Sequence, residues 1–181
     1  VPGLLGAPLL WAGLSPVTVY NVLVLAGLSL SGWTMSLVVR RWTGSTAAGV
    51  VAGMLFAFNA HLLTRIAHLQ ALHVEFFPLA LYAFDAALTR IPAVNLSATS
   101  AARPLSAPTA ALALASAFVA QALCSNYSLV FLSAALLVAA VVRAPEWLGP
   151  GRLARTSALA GAGALAVLVV APFLWPYFQV R

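Results

Sequence analysis

Long apolar runs separated by short polar or proline-rich stretches are the dominant pattern along this chain. Residues 17–39 are almost purely apolar for 23 positions, enough to cross a hydrocarbon layer of about 30 Å at about 1.5 Å per helical residue. Arg40-Arg41 stops this first span. A second runs over 45–63 and carries Gly49 and Gly53, a small-xxx-small pair suited to close helix packing. The third, over 74–88, has Glu75 at one end, Asp85 near the other and Pro78 in its first turns, where proline is tolerated. From 109 to 142 there are 34 residues without one charge, and as a single helix they would reach about 50 Å. The polar cluster Ser125-Asn126-Tyr127-Ser128 near its midpoint divides the run into spans over 109–124 and 127–142. A sixth span covers 157–173, followed by Trp175, Pro176, Tyr177 and Phe178, an aromatic girdle of the kind found at a membrane interface.

The intervening stretches read as connections. Residues 1–16 hold Pro2, Gly3, Gly6, Pro8, Gly13 and Pro16, which predicts an interfacial or re-entrant loop. Residues 91–108 read as a flexible loop and 143–155 as a shorter one. The expected fold is therefore all-α, a polytopic transmembrane helix bundle of about six spans behind an interfacial N-terminal segment, with residues 1–181 forming one bundle.

Composition supports the bilayer as solvent. With 63% hydrophobic and 7% charged residues and a mean hydropathy of +1.02, too little polar surface exists to coat a globule in water. Nine basic residues, all arginine, against three acids give a net charge of +6. These arginines stand singly or in pairs between apolar blocks and form no basic face with interleaved aromatics, so nucleic acid is not an expected partner. Their placement instead follows the loop bias that orients membrane proteins. Six spans put Arg40, Arg41, Arg90, Arg103, Arg143, Arg152 and Arg155 on one side and only Arg65 and Arg181 on the other, seven against two. Joining the fourth and fifth spans would give five against four, so the bias favours the hairpin at 125–128 as well.

The side poor in arginine is expected to be extracytoplasmic, across a bacterial cytoplasmic membrane, and it carries residues 59–75, residues 125–128 and both termini. The Asn95-Leu96-Ser97 sequon then falls on the cytoplasmic side, where it would not be glycosylated. The single cysteine, Cys124, reads as a small core residue. No P-loop, GxSxG element, CxxC pair or dinucleotide fingerprint occurs. A chain that opens on Val1 and closes just after an apolar segment reads as a fragment of a longer polytopic protein.

Candidate chemistry is concentrated in residues 59–75, which hold all three histidines, Arg65 and Glu75. Continued as a helix from the second span, His61, Arg65, His68, Leu72 and Glu75 follow a 4, 3, 4, 3 spacing and share one face. Arg65 breaks the positive-inside bias close to an apolar span and so calls for a partner. Two roles fit it: snorkelling to headgroups, or bidentate binding of a phosphate with imidazole donors beside it. The membrane lipids available at that depth include polyprenyl phosphates. Glu75 fits a general base, or a partner of Arg65 or of a histidine. Asn126 and Tyr127 face the same side and fit hydrogen bonding to a sugar or phosphate, or capping of a polar turn. The histidine spacing lacks the one-turn separation of HExxH, so no metal is expected. No cofactor is assigned; a divalent cation is the one candidate, and the sequence does not support it. Asp85 is expected to pair with Arg90 or with an arginine of a neighbouring loop.

Several short stretches resemble the GT-C superfamily of bacterial polytopic membrane glycosyltransferases. They are Leu30-Ser31-Gly32-Trp33-Thr34-Met35 continuing to Arg40-Arg41-Trp42-Thr43-Gly44-Ser45, Ala57-Phe58-Asn59, Arg65-Ile66-Ala67-His68-Leu69-Gln70 and Phe77-Pro78-Leu79-Ala80-Leu81. Cys124-Ser125-Asn126-Tyr127 and Pro172-Phe173-Leu174-Trp175-Pro176-Tyr177 are similar to the same group. The resemblance implies transfer of a sugar from a polyprenyl-phosphate donor on the extracytoplasmic face, in an inverting displacement assisted by a carboxylate. Under that resemblance Arg65 with His61 and His68 would hold the donor phosphate; the substrate-binding candidates of the chain are His61, Arg65, His68, Gln70, His73, Asn126 and Tyr127, and Glu75 is its catalytic candidate. The resemblance also implies an acid in the first outer loop, expected upstream of Val1. Readings of another class are a transporter or lipid flippase, favoured by polar residues spread along several spans, and a non-catalytic membrane-assembly protein.

Overall fold

A computed structural model describes residues 2–89, 106–149 and 152–179. Among these the chain is all-helical: α1 (Pro2–Trp11), α2 (Pro16–Thr43), α3 (Thr46–Ala57), α4 (Ala60–Leu63), α5 (Leu69–Leu72), α6 (Phe76–Leu88), α7 (Ala107–Cys124), α8 (Asn126–Val142), α9 (Ala144–Leu148) and α10 (Arg152–Gln179). Five stretches are long and apolar enough to cross a membrane: Pro16–Thr43, Thr46–Leu63, Leu69–Leu88, Ala107–Cys124 and Arg152–Trp175. The chain is an integral membrane protein by that measure. The fifth span of the sequence reading is α8, an apolar helix of 17 residues and so shorter than those five.

Contacts divide the chain into two compact units, one of residues 1–79 with 120–132, the other of residues 80–119 with 133–181. The first unit is built on α2 and α3. Ser15 caps α2 by accepting a bond from the Thr18 amide at 3.1 Å, with Pro16 in the first turn where its missing N–H is no loss. Gly44, at φ 71°, takes the left-handed turn that ends the helix, and Arg40 and Arg41 lie in its last turn, complementing the dipole. Ser45 then caps α3. Val19, Leu23, Gly27, Ser31, Thr34 and Val38 are buried at helical spacing and mark the inward face of α2.

The two helices run antiparallel and pack through small residues, as the Gly49–Gly53 spacing predicts. A Cβ on Gly49 would lie 2.6 Å from the Ser36 carbonyl oxygen, and one on Gly53 2.4 Å from that of Gly32. Residues 1–16 depart from the expected loop. They form the ten-residue α1, with Pro2 opening it and Pro8 inside. One lost amide donor does not prevent three turns from forming when the segment stops before Gly13. A Cβ on Gly6 would meet Val19 and Leu23, so α1 lies against α2.

In the second unit, Ala162, Ala166 and Val170 recur every fourth residue of α10 and are its buried face. Leu114, Ala115 and Phe118 of α7 share one cavity with Leu136, Leu137 and Ala140 of α8. A straight helix would hold Phe118 and Leu136 about 27 Å apart, so the chain folds back at Ser125, the expected hairpin. Asp85 pairs with Arg143, a neighbouring-loop arginine as expected; Arg90, Arg103 and the Asn95 sequon lie outside the described residues. Arg143 also grips Glu146 through Nε at 2.8 Å and through a second nitrogen.

That hydrogen bond to Arg143 holds the Glu146 carboxyl below its ordinary range, and the same contact raises Arg143. A depressed carboxylate contributes stability that is present above its unfolded value of about 4.3 and disappears as pH falls through the lower folded value. Glu146→Gln is therefore expected to lower the unfolding temperature at pH 7, by a difference that narrows as pH falls below about 4. The difference at pH 7 should be small because the Glu146 side chain is 42% exposed. Thermal unfolding at pH 7 and at about pH 3 checks it; equal loss at both would mean that the pair contributes nothing ionic.

Candidate functional site

The polar stretch is not one helix. Asn59 interrupts the second span: its Nδ2 donates to the Phe56 carbonyl at 2.6 Å, and its Oδ1 accepts from the Leu62 amide at 3.0 Å, capping α4. A short amide side chain thus replaces ladder bonds with local ones. α4 ends at Leu63, α5 begins at Leu69, and the backbone is non-helical again between His73 and Glu75. Hence His61, Arg65, His68, Leu72 and Glu75 do not share a face, contrary to the helical spacing. Leu72 and Glu75 are buried, while His61 and His68 are exposed.

The structure sorts the candidates into two groups. In the first, the Arg65 guanidinium carbon lies 4.6 Å from the centre of the Tyr127 ring, and its NH2 nitrogen 3.5 Å from the Tyr127 hydroxyl. This is a cation–π geometry that neutralises no charge on Arg65. His61 stacks near-parallel to Tyr127 at 6.4 Å between ring centres, and Phe131 meets Tyr127 edge-on at 5.3 Å. The segment is steadied from α2, where the Tyr20 hydroxyl donates to the Ile66 carbonyl at 2.6 Å.

Beside this cluster lies a groove of about 290 Å³ whose lining includes Phe56, Leu62, Val74, Phe77 and Phe131, with Asn59, His61, Tyr127 and Ser128 as its polar members. It is an apolar slot with an aromatic wall; Arg65 is outside the lining and meets it through Tyr127. His68, Gln70 and Asn126 are exposed and outside the lining. Ser125, not Asn126, caps α8, accepting from the Ser128 amide at 3.3 Å.

The second group is buried. His73 is 0% exposed and its Nδ1 stands 2.9 Å from Oε1 of Glu75, itself 5% exposed. Among the alternatives for Glu75, the partner is a histidine and not Arg65. Gln121 of α7, also 0% exposed, donates from Nε2 to the His73 carbonyl at 2.9 Å. Ser31 of α2 donates to the Leu72 carbonyl at 3.3 Å and accepts from the Val74 amide at 3.4 Å. Glu75 lies outside the groove, whose lining contains no Asp or Glu, and is a buried partner of His73.

Sequence reasoning missed Gln121 and Ser31 in this role. Gln121 had a signal, since it is the one amide in the apolar span over 109–124, where an amide tends to bond to a neighbouring helix. Ser31 had none that sets it apart from the other serines. No group of three or more His, Cys, Asp or Glu among the described residues could hold a metal ion. Compared with known proteins, the chain matches no family model, no curated protein and no solved structure.

Proposed function

We propose that this chain belongs to an integral-membrane glycosyltransferase of the GT-C type that transfers a sugar from a polyprenyl-phosphate donor on the extracytoplasmic face. One observation carries the reading: Arg65 lies over Tyr127, whose ring lines an apolar groove together with His61. An isoprenoid phosphate has the complementary form, with a hydrocarbon tail for Phe56, Phe77 and Phe131 and a phosphate for the guanidinium. During transfer, the bond from the sugar to the phosphate breaks and negative charge collects on the departing lipid phosphate. A guanidinium fixed beside that oxygen stabilises it where the charge develops. The reaction also needs a carboxylate to take the acceptor proton, which the groove lining does not supply. The chain's part in this reading is donor binding and leaving-group stabilisation.

The test uses the whole chain in nanodiscs with a short polyprenyl phosphate. Arg65→Ala is expected to weaken binding about tenfold or more, equivalent to about 1.4 kcal/mol, with sugar transfer in membranes falling in step and insertion intact. The corresponding polyprenyl alcohol, which lacks phosphate, should bind both proteins equally. Unchanged phosphate binding, or equal losses for phosphate and alcohol, would remove the phosphate site. A transporter or lipid flippase is the second reading, and the buried node of Ser31, His73, Glu75 and Gln121 favours it, because polar groups from separate helices meet there inside the apolar unit.

A further inference from the structure

The buried node takes no part in the lipid-phosphate reading, yet it holds three polar atoms that lack hydrogen-bond partners: His73 Nε2, Glu75 Oε2 and Gln121 Oε1. A carboxylate only accepts, so beside an ionised Glu75 the 2.9 Å contact between His73 Nδ1 and Glu75 Oε1 has its proton on Nδ1, and Nε2 is an acceptor when the ring is neutral. Gln121 spends its nitrogen on the His73 carbonyl, which leaves its oxygen as an acceptor. Glu75 Oε2 and Gln121 Oε1 are thus two buried oxygens without a donor, and a buried carboxylate without compensation is costly.

The occupant that answers this set is positive and hard. Glu75 and Gln121 are both tied to His73, one to its ring and one to its carbonyl, so both side chains are anchored at the same break in the helix. The backbone there is non-helical over residues 73–75, and each main-chain carbonyl keeps a second lone pair after its existing bond. Carbonyls of an interrupted membrane helix are ready ligands for an alkali cation. Beside a neutral His73, a charge of one matches the single carboxylate, whereas a divalent ion would leave a net positive charge buried. We propose that Glu75 Oε2 and Gln121 Oε1, at the helix break over residues 73–75, form a binding site for a monovalent metal cation of the sodium class. His73 is a positioning residue: its Nδ1–H fixes the carboxylate, and its Nε2 edge lies against α2 at Gly27, where an added Cβ would sit 3.4 Å away.

The experiment uses the full chain in nanodiscs at constant ionic strength, with sodium chloride replacing choline chloride, and reads tryptophan-monitored unfolding together with direct binding of radioactive sodium. Sodium should raise the unfolding temperature saturably, by about 4 °C at ten times the Kd, and labelled sodium should be displaced by unlabelled sodium and not by choline. Glu75→Gln should lose both effects, Gln121→Leu should weaken binding at least tenfold, and Arg65→Ala should keep both, which separates this site from the lipid-phosphate groove. The binding measurement on the wild type stands even where a variant fails to fold. Wild-type protein that binds no labelled sodium and unfolds identically in the two salts holds only water at the node, which overturns the proposal, as does a sodium response retained in Glu75→Gln.

Discussion

Gly53→Ala is expected to destabilise the α2–α3 hairpin by about 3 kcal/mol, at the upper end of ordinary overpacking. The new methyl carbon would stand 2.4 Å from the Gly32 carbonyl oxygen and 3.0 Å from the Ser36 Cβ. A side chain in its path could rotate aside; the Gly32 backbone cannot, so the helices must separate. Separation costs more here than in a water-soluble bundle. Lipid is as apolar as the helix surfaces, and association rests on close contact between small residues rather than on hydrophobic burial. Gly49 sits one turn away with its own close approach to the Ser36 carbonyl, so a displacement at Gly53 also opens that contact. Gly161→Ala in α10 is the matched control, because a Cβ there meets nothing within 4 Å, and alanine should gain about 0.5–1 kcal/mol of helix propensity. Unfolding of the two variants in the same detergent decides the matter. A Gly53→Ala protein as stable as Gly161→Ala would show that α2 and α3 are not in contact at these positions.

The architecture was legible because spans in a bilayer need length and apolarity, and both are one-dimensional properties. The first span, the small-residue contact at Gly49 and Gly53, the fold-back at Ser125 and the pairing of Asp85 with a loop arginine all follow from that reasoning. The N-terminal segment did not, because prolines at positions 2 and 8 were taken to forbid a helix that needs only ten residues. Arg65 and His61 of residues 59–75 come together with Tyr127, yet the helical face expected of His61, Arg65, His68, Leu72 and Glu75 is absent. Periodicity assumes a continuous ladder. Asn59 ends the ladder with its own side chain, and whether an asparagine caps a new turn or points outward depends on the packing of Leu62, which spacing does not encode. The separation of Glu75 from Arg65 was hidden for the same reason, since it arises from two interruptions, at 64–68 and at 73–75.

Those interruptions also explain why a serine of α2 carries the second large expected effect. A break at membrane depth strips backbone groups of their ladder partners, and such groups must be satisfied within the protein. Ser31, 0% exposed, supplies both kinds of partner: its hydroxyl donates to the Leu72 carbonyl and accepts from the Val74 amide. Ser31→Ala removes only the oxygen, creating little cavity, but it leaves the Val74 N–H with only its 3.1 Å bond to the Leu72 carbonyl and withdraws one donor from Leu72. At about 0.5–1.5 kcal/mol for each hydrogen bond lost, and with both contacts longer than 3.2 Å, the expected loss is about 1–2 kcal/mol. The loss should be local before it is global. The Val74 amide should exchange with solvent roughly tenfold faster or more, while amides in the middle of α2 keep their protection. The sodium-dependent rise in unfolding temperature should shrink with it, because residues 73–75 then no longer hold Glu75 in place opposite Gln121. Unchanged exchange at Val74 would mean that Ser31 does not brace the break, and the tethering of His73 would then rest on Gln121 alone.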